Sequence, residues 1–215
     1  MVKSTSRKAS KTGFLSGKAL LHMTDETVLP RSRRDQASVH TVALVGFMGA
    51  GKTTVGQEVA RILNWRFADL DQLIESREQR TIPQIFQQDG ESRFRELEHD
   101  VLEDTLADPE SRFLVLALGG GAFAVEKIRA LLRKRQVPAV WLDAPAEELF
   151  RRCEQPEIVR PLRRDPEQFA KLYEQRLSSY RQADLHVITK GKEISAIAEE
   201  ITVALALQPY SRSAQ

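Results

Sequence analysis

From residue 41 onward, short apolar stretches alternate with longer segments of helical rhythm. The stretches are 42–45, 65–70, 113–118, 138–142 and 185–189, each of strand length. The clearest, 113–118, is continuously apolar, as expected of a strand covered on both faces. Between them apolar residues return every three to four positions: Val55, Val59, Ile62 and Leu63; Phe94, Leu97, Val101 and Leu102; Ile194, Ile197, Ile201 and Leu205. These rows predict helices over 52–64, 91–106 and 194–205. A helix through Leu73, Ile74 and Arg77 is expected after the second strand. Thr81 with Pro83 starts another, which Gly90 ends. Further helices are predicted over 125–133 and 145–153, and one capped by Asp165 and Pro166 runs through Leu177. Residues 154–164 are charged and irregular, and read as a mobile loop.

Strand–helix alternation with apolar strands predicts an α/β fold. It is a three-layer sandwich with a mainly parallel central sheet, here of five strands. Ligands in such folds sit at the carboxyl ends of the strands. There is no internal repeat. The globular part is expected over 39–210, with a short tail at 211–215.

Charge sharpens the first boundary. Residues 1–40 hold eight Lys/Arg against three Asp/Glu, while the other 175 residues hold 24 against 27. The basic excess therefore belongs to the beginning of the chain, and the globular part carries no general nucleic-acid signal. Residues 1–38 read as a disordered basic extension, although their Ser/Arg-rich composition also fits an organellar transit peptide or a misassigned start. The single cysteine, Cys153, excludes an intramolecular disulfide and fits a reducing, cytosol-like compartment. No apolar run is long enough to span a membrane, so a cytoplasmic monomer is expected.

Candidate chemistry begins where the first strand breaks. Gly46 to Thr53 reads GFMGAGKT, matching G-x-x-x-x-G-K-S/T, the phosphate-binding P-loop. A backbone that wraps a polyphosphate turns its N–H groups inward, which calls for glycine at positions of positive φ or close approach. The helix that follows aims its N-terminus at the anion. A glycine-rich turn of a flavin or dinucleotide fold is the competing reading, and Gly-Lys-Thr in register argues against it.

Other candidates lie at strand ends. Asp69 and Asp71 are two residues apart, and in extended geometry both would point the same way. Near a phosphate loop, one carboxylate can hold magnesium and the other can orient a substrate hydroxyl. Gly119, Gly120 and Gly121 follow the third strand and are expected to bare backbone N–H groups to a ligand. Arg95 and Glu98 lie one helical turn apart, but Glu91 would also pair with Arg95 in an ordinary surface ladder. Arg160, Arg163 and Arg164 surround Pro161 in the charged loop, where an arginine could close over a nucleotide. The four histidines show no metal-ligand spacing, and Trp65 and Trp141 read as core.

Taken together these segments resemble the shikimate kinase family. GFMGAGKTTVG resembles its phosphate loop, FADLDQLIE its D-x-D segment and DGESRFRELE its F-R-x-x-E segment. LALGGGAF resembles its glycine triplet, VRPL its lid arginine, and YEQRLSSYRQAD its second substrate arginine. The resemblance covers about Val42 to Leu205. It implies a P-loop kinase, related in fold to nucleoside monophosphate kinases, that phosphorylates the 3-hydroxyl of shikimate with ATP and Mg2+. It assigns ATP to Gly49, Ala50, Gly51, Lys52, Thr53 and Thr54, with Arg152 and Lys192 at adenine. The metal falls to Thr53 and, through water, Asp69. Shikimate falls to Asp71, Arg95, Gly119, Gly120, Gly121 and Arg176. Lys52 and Arg160 steady the transferred phosphoryl group, and Glu98 orients Arg95. Leu177, Ser178 and Ser179 stand where the family commonly has a proline and leucine before the tyrosine, and the lid is unusually basic. A kinase of another polyol acid such as gluconate, or a non-catalytic ligand-sensing module, remains as an alternative.

Overall fold

In the computed structural model, five strands form one parallel sheet: β1 (Thr41–Val45), β2 (Arg66–Asp69), β3 (Leu114–Ala117), β4 (Ala139–Asp143) and β5 (Leu185–Ile188). Their order is β2-β3-β1-β4-β5. Seven helices accompany them among the described residues: α1 (Lys52–Leu63), α2 (Leu70–Glu78), α3 (Ile82–Ala107), α4 (Glu126–Lys134), α5 (Ala146–Cys153), α6 (Pro166–Tyr180) and α7 (Ile194–Ala204). The chain divides into two units, Met1–Gln36 and Ala37–Gln215. The description covers residues 39–153 and 165–211, all in the second unit.

The three inner strands are apolar for the expected reason. Val42, Ala43, Leu44, Val115, Leu116, Val140 and Leu142 are sealed from solvent, because crossover helices cover both faces of a parallel sheet. Trp65 and Trp141 lie in this core. Register then sets the functional edge. Asp69 pairs with Ala117, and Ala117 with Leu44, so the ends of β2, β3 and β1 are level.

Several boundaries differ from the pattern-based expectation. The second strand stops at Asp69, since the Asp69 side chain accepts from the Asp71 backbone N–H (3.1 Å) and starts α2 at Leu70. Asp71 is therefore helical, and the extended-strand argument for the two carboxylates is corrected. Gly90, by contrast, breaks the helix as expected: its backbone is non-helical (φ 79°, ψ 174°), and α3 is two helices meeting at a kink there. A capping box between Thr81 and Gln84 opens α3. Helix α6 continues three residues past Leu177, because Ser178 and Ser179 keep the backbone N–H groups that a proline would remove.

Candidate functional site

The loop after β1 takes the conformation that its glycines permit. Gly49 (φ 79°) and Gly51 (φ 86°) are left-handed, Gly51 serving as N-cap of α1. The loop is also pressed onto its neighbours. A Cβ on Gly46 would stand 2.6 Å from the Leu142 carbonyl oxygen of β4, and one on Gly49 2.5 Å from that of Leu149 in α5. Lys52 lies over the loop, its Nζ donating to the carbonyls of Gly46 (3.0 Å) and Phe47 (3.2 Å). Thr53 Oγ1 donates to Asp69 Oδ2 (2.9 Å), joining the first turn of α1 to the end of β2.

Beside this loop, charged groups converge on the glycine triplet. None of Gly119, Gly120 and Gly121 is among the positive-φ residues. Their lack of side chain serves space instead. A Cβ on Gly119 would fall 2.6 Å from Asp71 Oδ1 and 3.2 Å from Glu98 Oε1. A Cβ on Gly121 would fall 2.8 Å from Arg95 Nη2 and 3.2 Å from Arg176 Nη2. At Gly120 the nearest atom would be the backbone nitrogen of Met48, at 3.4 Å. The triplet is thus the ground on which a carboxylate, two guanidinium groups and the phosphate loop meet. The Gly120 carbonyl accepts from Arg176 Nη1 (3.0 Å) and from the Tyr180 hydroxyl (2.5 Å).

Arg95 holds both of the partners that its sequence neighbours offered. Its Nη1 donates to Glu98 Oε2 (2.8 Å) and its Nη2 to Glu91 Oε1 (3.2 Å). Glu98 is 1% exposed, so that pair is interior, while Glu91 lies at the surface. Burial pushes the Glu98 carboxyl above its ordinary pKa, although Arg95 pulls it down. Burial opposes the charge on Arg95 as well, but Glu98 and Glu91 together hold its pKa above the ordinary value. Arg176 lies over the Phe47 ring of the phosphate loop, 5.4 Å from its centroid.

On the far side of the loop, Arg152 donates to Glu148 (3.0 Å) and approaches Thr189 Oγ1 (3.4 Å). Lys192, in the next turn, pairs with Glu200 (2.5 Å). The structure thus brings Arg152 to the end of β5, while Thr54 lines a separate groove of about 460 Å³ with Glu58, Arg61, Glu193, Ile194 and Ser195. Arg160, Arg163 and Arg164 lie outside the described residues. The triplet, expected to bare backbone N–H groups to a ligand, also leaves room for side chains to approach it, and Arg95 makes the surface pair with Glu91 together with an interior pair with Glu98.

Two contributors escaped the sequence reading. Tyr180 follows Arg176 by four residues, one helical turn, which was signal enough to place both on one face. Asp143 ends β4, where ligands of such sheets gather; its carboxylate accepts from the Tyr173 hydroxyl (2.8 Å) and faces His186 Nε2 (2.9 Å).

Comparison with known proteins agrees with this geometry. The family model "Shikimate kinase" matches residues 48–206. The shikimate kinase of Persephonella marina is 40% identical over 164 residues, 76% of this chain and 97% of that protein. That of Cereibacter sphaeroides is 42% identical over 172 residues, 79% and 84%. Among solved structures, the shikimate kinase of Acinetobacter baumannii in complex with shikimate superposes with a TM-score of 0.70 at 36% identity, covering 78% of this chain and 94% of that one.

Proposed function

The chain belongs to the shikimate kinase family, and we propose that the phosphate loop and the glycine-triplet cluster are the donor and acceptor halves of its active site. The enzyme transfers the γ-phosphoryl group of ATP to the 3-hydroxyl of shikimate, giving shikimate 3-phosphate and ADP. One observation carries the division of labour: two guanidinium groups and the Asp71 carboxylate close on three consecutive glycines, the middle one against Met48 of the phosphate loop. A carboxylated polyol needs that combination, cations for its acid and a carboxylate for a hydroxyl.

The roles follow from chemistry. Gly49, Ala50, Gly51, Lys52, Thr53 and Thr54 cradle the phosphates through backbone N–H groups, the α1 N-terminus and the Lys52 charge. Arg95 and Arg176 bind the shikimate carboxylate, and the shared Gly121 keeps space between them. Asp71 accepts a hydrogen bond from the 3-hydroxyl and orients its oxygen toward the γ-phosphorus. That oxygen forms the new P–O bond as the bond to the β-phosphate bridge breaks, and the hydroxyl proton passes toward Asp71. Such a transfer leaves little covalent work to the protein, so positioning and charge account for most of the catalysis. Arg160 is assigned to the transferred phosphoryl group, and Arg152 and Lys192 to adenine, on motif resemblance.

The oxygen donors fit magnesium. Thr53 Oγ1, held by Asp69 Oδ2 at 2.9 Å, keeps a lone pair for a hard cation, and Asp69 would act through water. Bound there, the ion would shield the β- and γ-phosphate charge. A cytoplasmic location and a monomeric state belong to the same proposal; no described helix is long and apolar enough to cross a membrane.

A coupled assay for ADP with shikimate or gluconate as acceptor tests the reading. Turnover is expected with shikimate. Turnover on gluconate alone would overturn it, and tight shikimate binding with no ADP formed would favour a ligand-sensing module.

A further inference from the structure

Asp143 lies at the end of β4 and gathers contacts from helix α6 and from strand β5 and the turn that follows it. Its Oδ1 accepts from the Tyr173 hydroxyl of α6 at 2.8 Å, and its Oδ2 faces His186 Nε2 of β5 at 2.9 Å. Its backbone carbonyl accepts from the Thr189 N–H (2.7 Å) and from Thr189 Oγ1 (3.0 Å), the atom that Arg152 approaches. Tyr173 packs edge-on against Phe47, ring centroids 5.5 Å apart. One turn further along α6, Arg176 lies over the same Phe47 ring, 5.4 Å from its centroid.

The hydroxyl of Tyr173 is thus the polar tie between α6 and the sheet on this side, and the helix it ties delivers Arg176 to Gly120 and Gly121. Burial and the neighbouring Asp143 carboxylate both push the Tyr173 pKa up, so the hydroxyl stays a donor throughout the working range. Other contacts of α6 with the core, through Phe169 and Tyr180, are apolar or directed at Gly120 itself. They hold the helix on the sheet and fix its C-terminal end against Gly120; the Tyr173 hydroxyl adds a directional bond to a strand end one turn before Arg176.

We propose that Tyr173 and Asp143 are a positioning pair for the acceptor site, setting α6 so that the Arg176 guanidinium meets the shikimate carboxylate. This rests on the assignment of Arg176 to that carboxylate. The pair touches neither substrate. Its removal loosens the aim of one arginine, and the cost falls on shikimate binding.

The test compares Tyr173→Phe, Asp143→Ala, Asp143→Asn and Arg176→Ala in the full chain by steady-state kinetics with both substrates. Tyr173→Phe loses one hydrogen bond and no ring packing, and should raise the KM for shikimate roughly 3- to 10-fold while the KM for ATP and kcat stay within about 2-fold. Asp143→Ala should do the same, and the double variant should be no worse than either single. Asp143→Asn keeps an amide oxygen for Tyr173 and offers its NH2 to His186, so it should restore the shikimate KM. A role in general stability would instead lower the melting temperature and disturb both substrates together. An unchanged shikimate KM in Tyr173→Phe, or a failure of Asp143→Asn to rescue, overturns the pair while Arg176→Ala still raises that KM. If Arg176→Ala leaves the shikimate KM unmoved, the carboxylate assignment itself has failed.

Discussion

Substituting Gly119 by alanine is the sharpest probe of the acceptor site. The backbone there has no positive φ, so alanine is allowed conformationally. The added methyl group is the whole perturbation. It would begin 2.6 Å from Asp71 Oδ1 and 3.2 Å from Glu98 Oε1. Reaching ordinary contact requires a displacement of about 0.8 Å, and Glu98 blocks part of the escape. The yielding group is the Asp71 carboxylate, a short side chain on the first turn of α2.

Misplacing a reacting contact by about 1 Å can cost on the order of 100-fold in rate. Gly119→Ala should accordingly lower kcat by about 10- to 100-fold, or about 1.4–2.7 kcal/mol of barrier. The KM for ATP should barely change, because the phosphate loop meets the triplet at Gly120 rather than Gly119. Gly121→Ala supplies the contrast. There the methyl meets the far ends of Arg95 and Arg176, which swing aside, so the KM for shikimate should rise more than kcat falls. Steady-state measurement of ADP release at varied shikimate and ATP separates the two, with thermal melts to confirm folding. A kcat within 2-fold of wild type in Gly119→Ala would refute the placement of Asp71 at the reacting hydroxyl. An exchange of the two phenotypes would refute the division of roles along the triplet.

Arg95→Ala should weaken shikimate binding by about 1.5–3 kcal/mol, the value of a charge-assisted contact, read by titration calorimetry; unaltered affinity would return Arg95 to the surface pair with Glu91. Asp71→Ala should abolish most turnover while ATP still binds, and wild-type turnover would remove its role. Glu98 predicts a pH dependence of stability. Its folded pKa is raised above the ordinary 4.5, chiefly by burial, so its stabilising contribution is fully present below the unfolded value and lost as pH rises through the folded one. The melting temperature of wild type relative to Glu98→Gln should therefore fall as the pH rises above the ordinary value of 4.5; a flat difference would count against the buried, ionising Glu98.

How much of this was legible in the sequence depends on how local each cause is. The phosphate loop is written in eight consecutive residues, and its conformation follows from Gly49 and Gly51 where they stand. The strand cores follow from apolar stretches, since both faces of the sheet are covered. Asp71 was misread because a strand end and a first helical turn have the same apolar flanks; what decides is a single side-chain-to-backbone bond from Asp69. The meaning of the glycine triplet was hidden for another reason. Its small size answers to Asp71, Arg95, Glu98 and Arg176, which come from three different helices and lie far from it along the chain. Arg95 showed two acidic neighbours in sequence, and only packing separates the interior Glu98 from the exposed Glu91.

Strand order is what turns two phosphate-kinase half-sites into one. Because β1 lies between β3 and β4, the loop leaving β1 must pass between the triplet that leaves β3 and Asp143 at the end of β4. A Cβ on Gly120 would reach the Met48 nitrogen of the loop only at ordinary contact distance, whereas one on Gly46 would press into the Leu142 carbonyl. The donor loop is thus held closely by backbone on its β4 flank and lies one methyl group away from the acceptor triplet on the other. For a reaction governed by positioning, the consequence is directional. A side chain at Gly46, where a Cβ would stand 2.6 Å from the Leu142 carbonyl oxygen, should damage catalysis through geometry, even though that glycine offers no side chain to the chemistry, whereas a methyl group at Gly120 would meet Met48 at ordinary contact distance and should be tolerated far better.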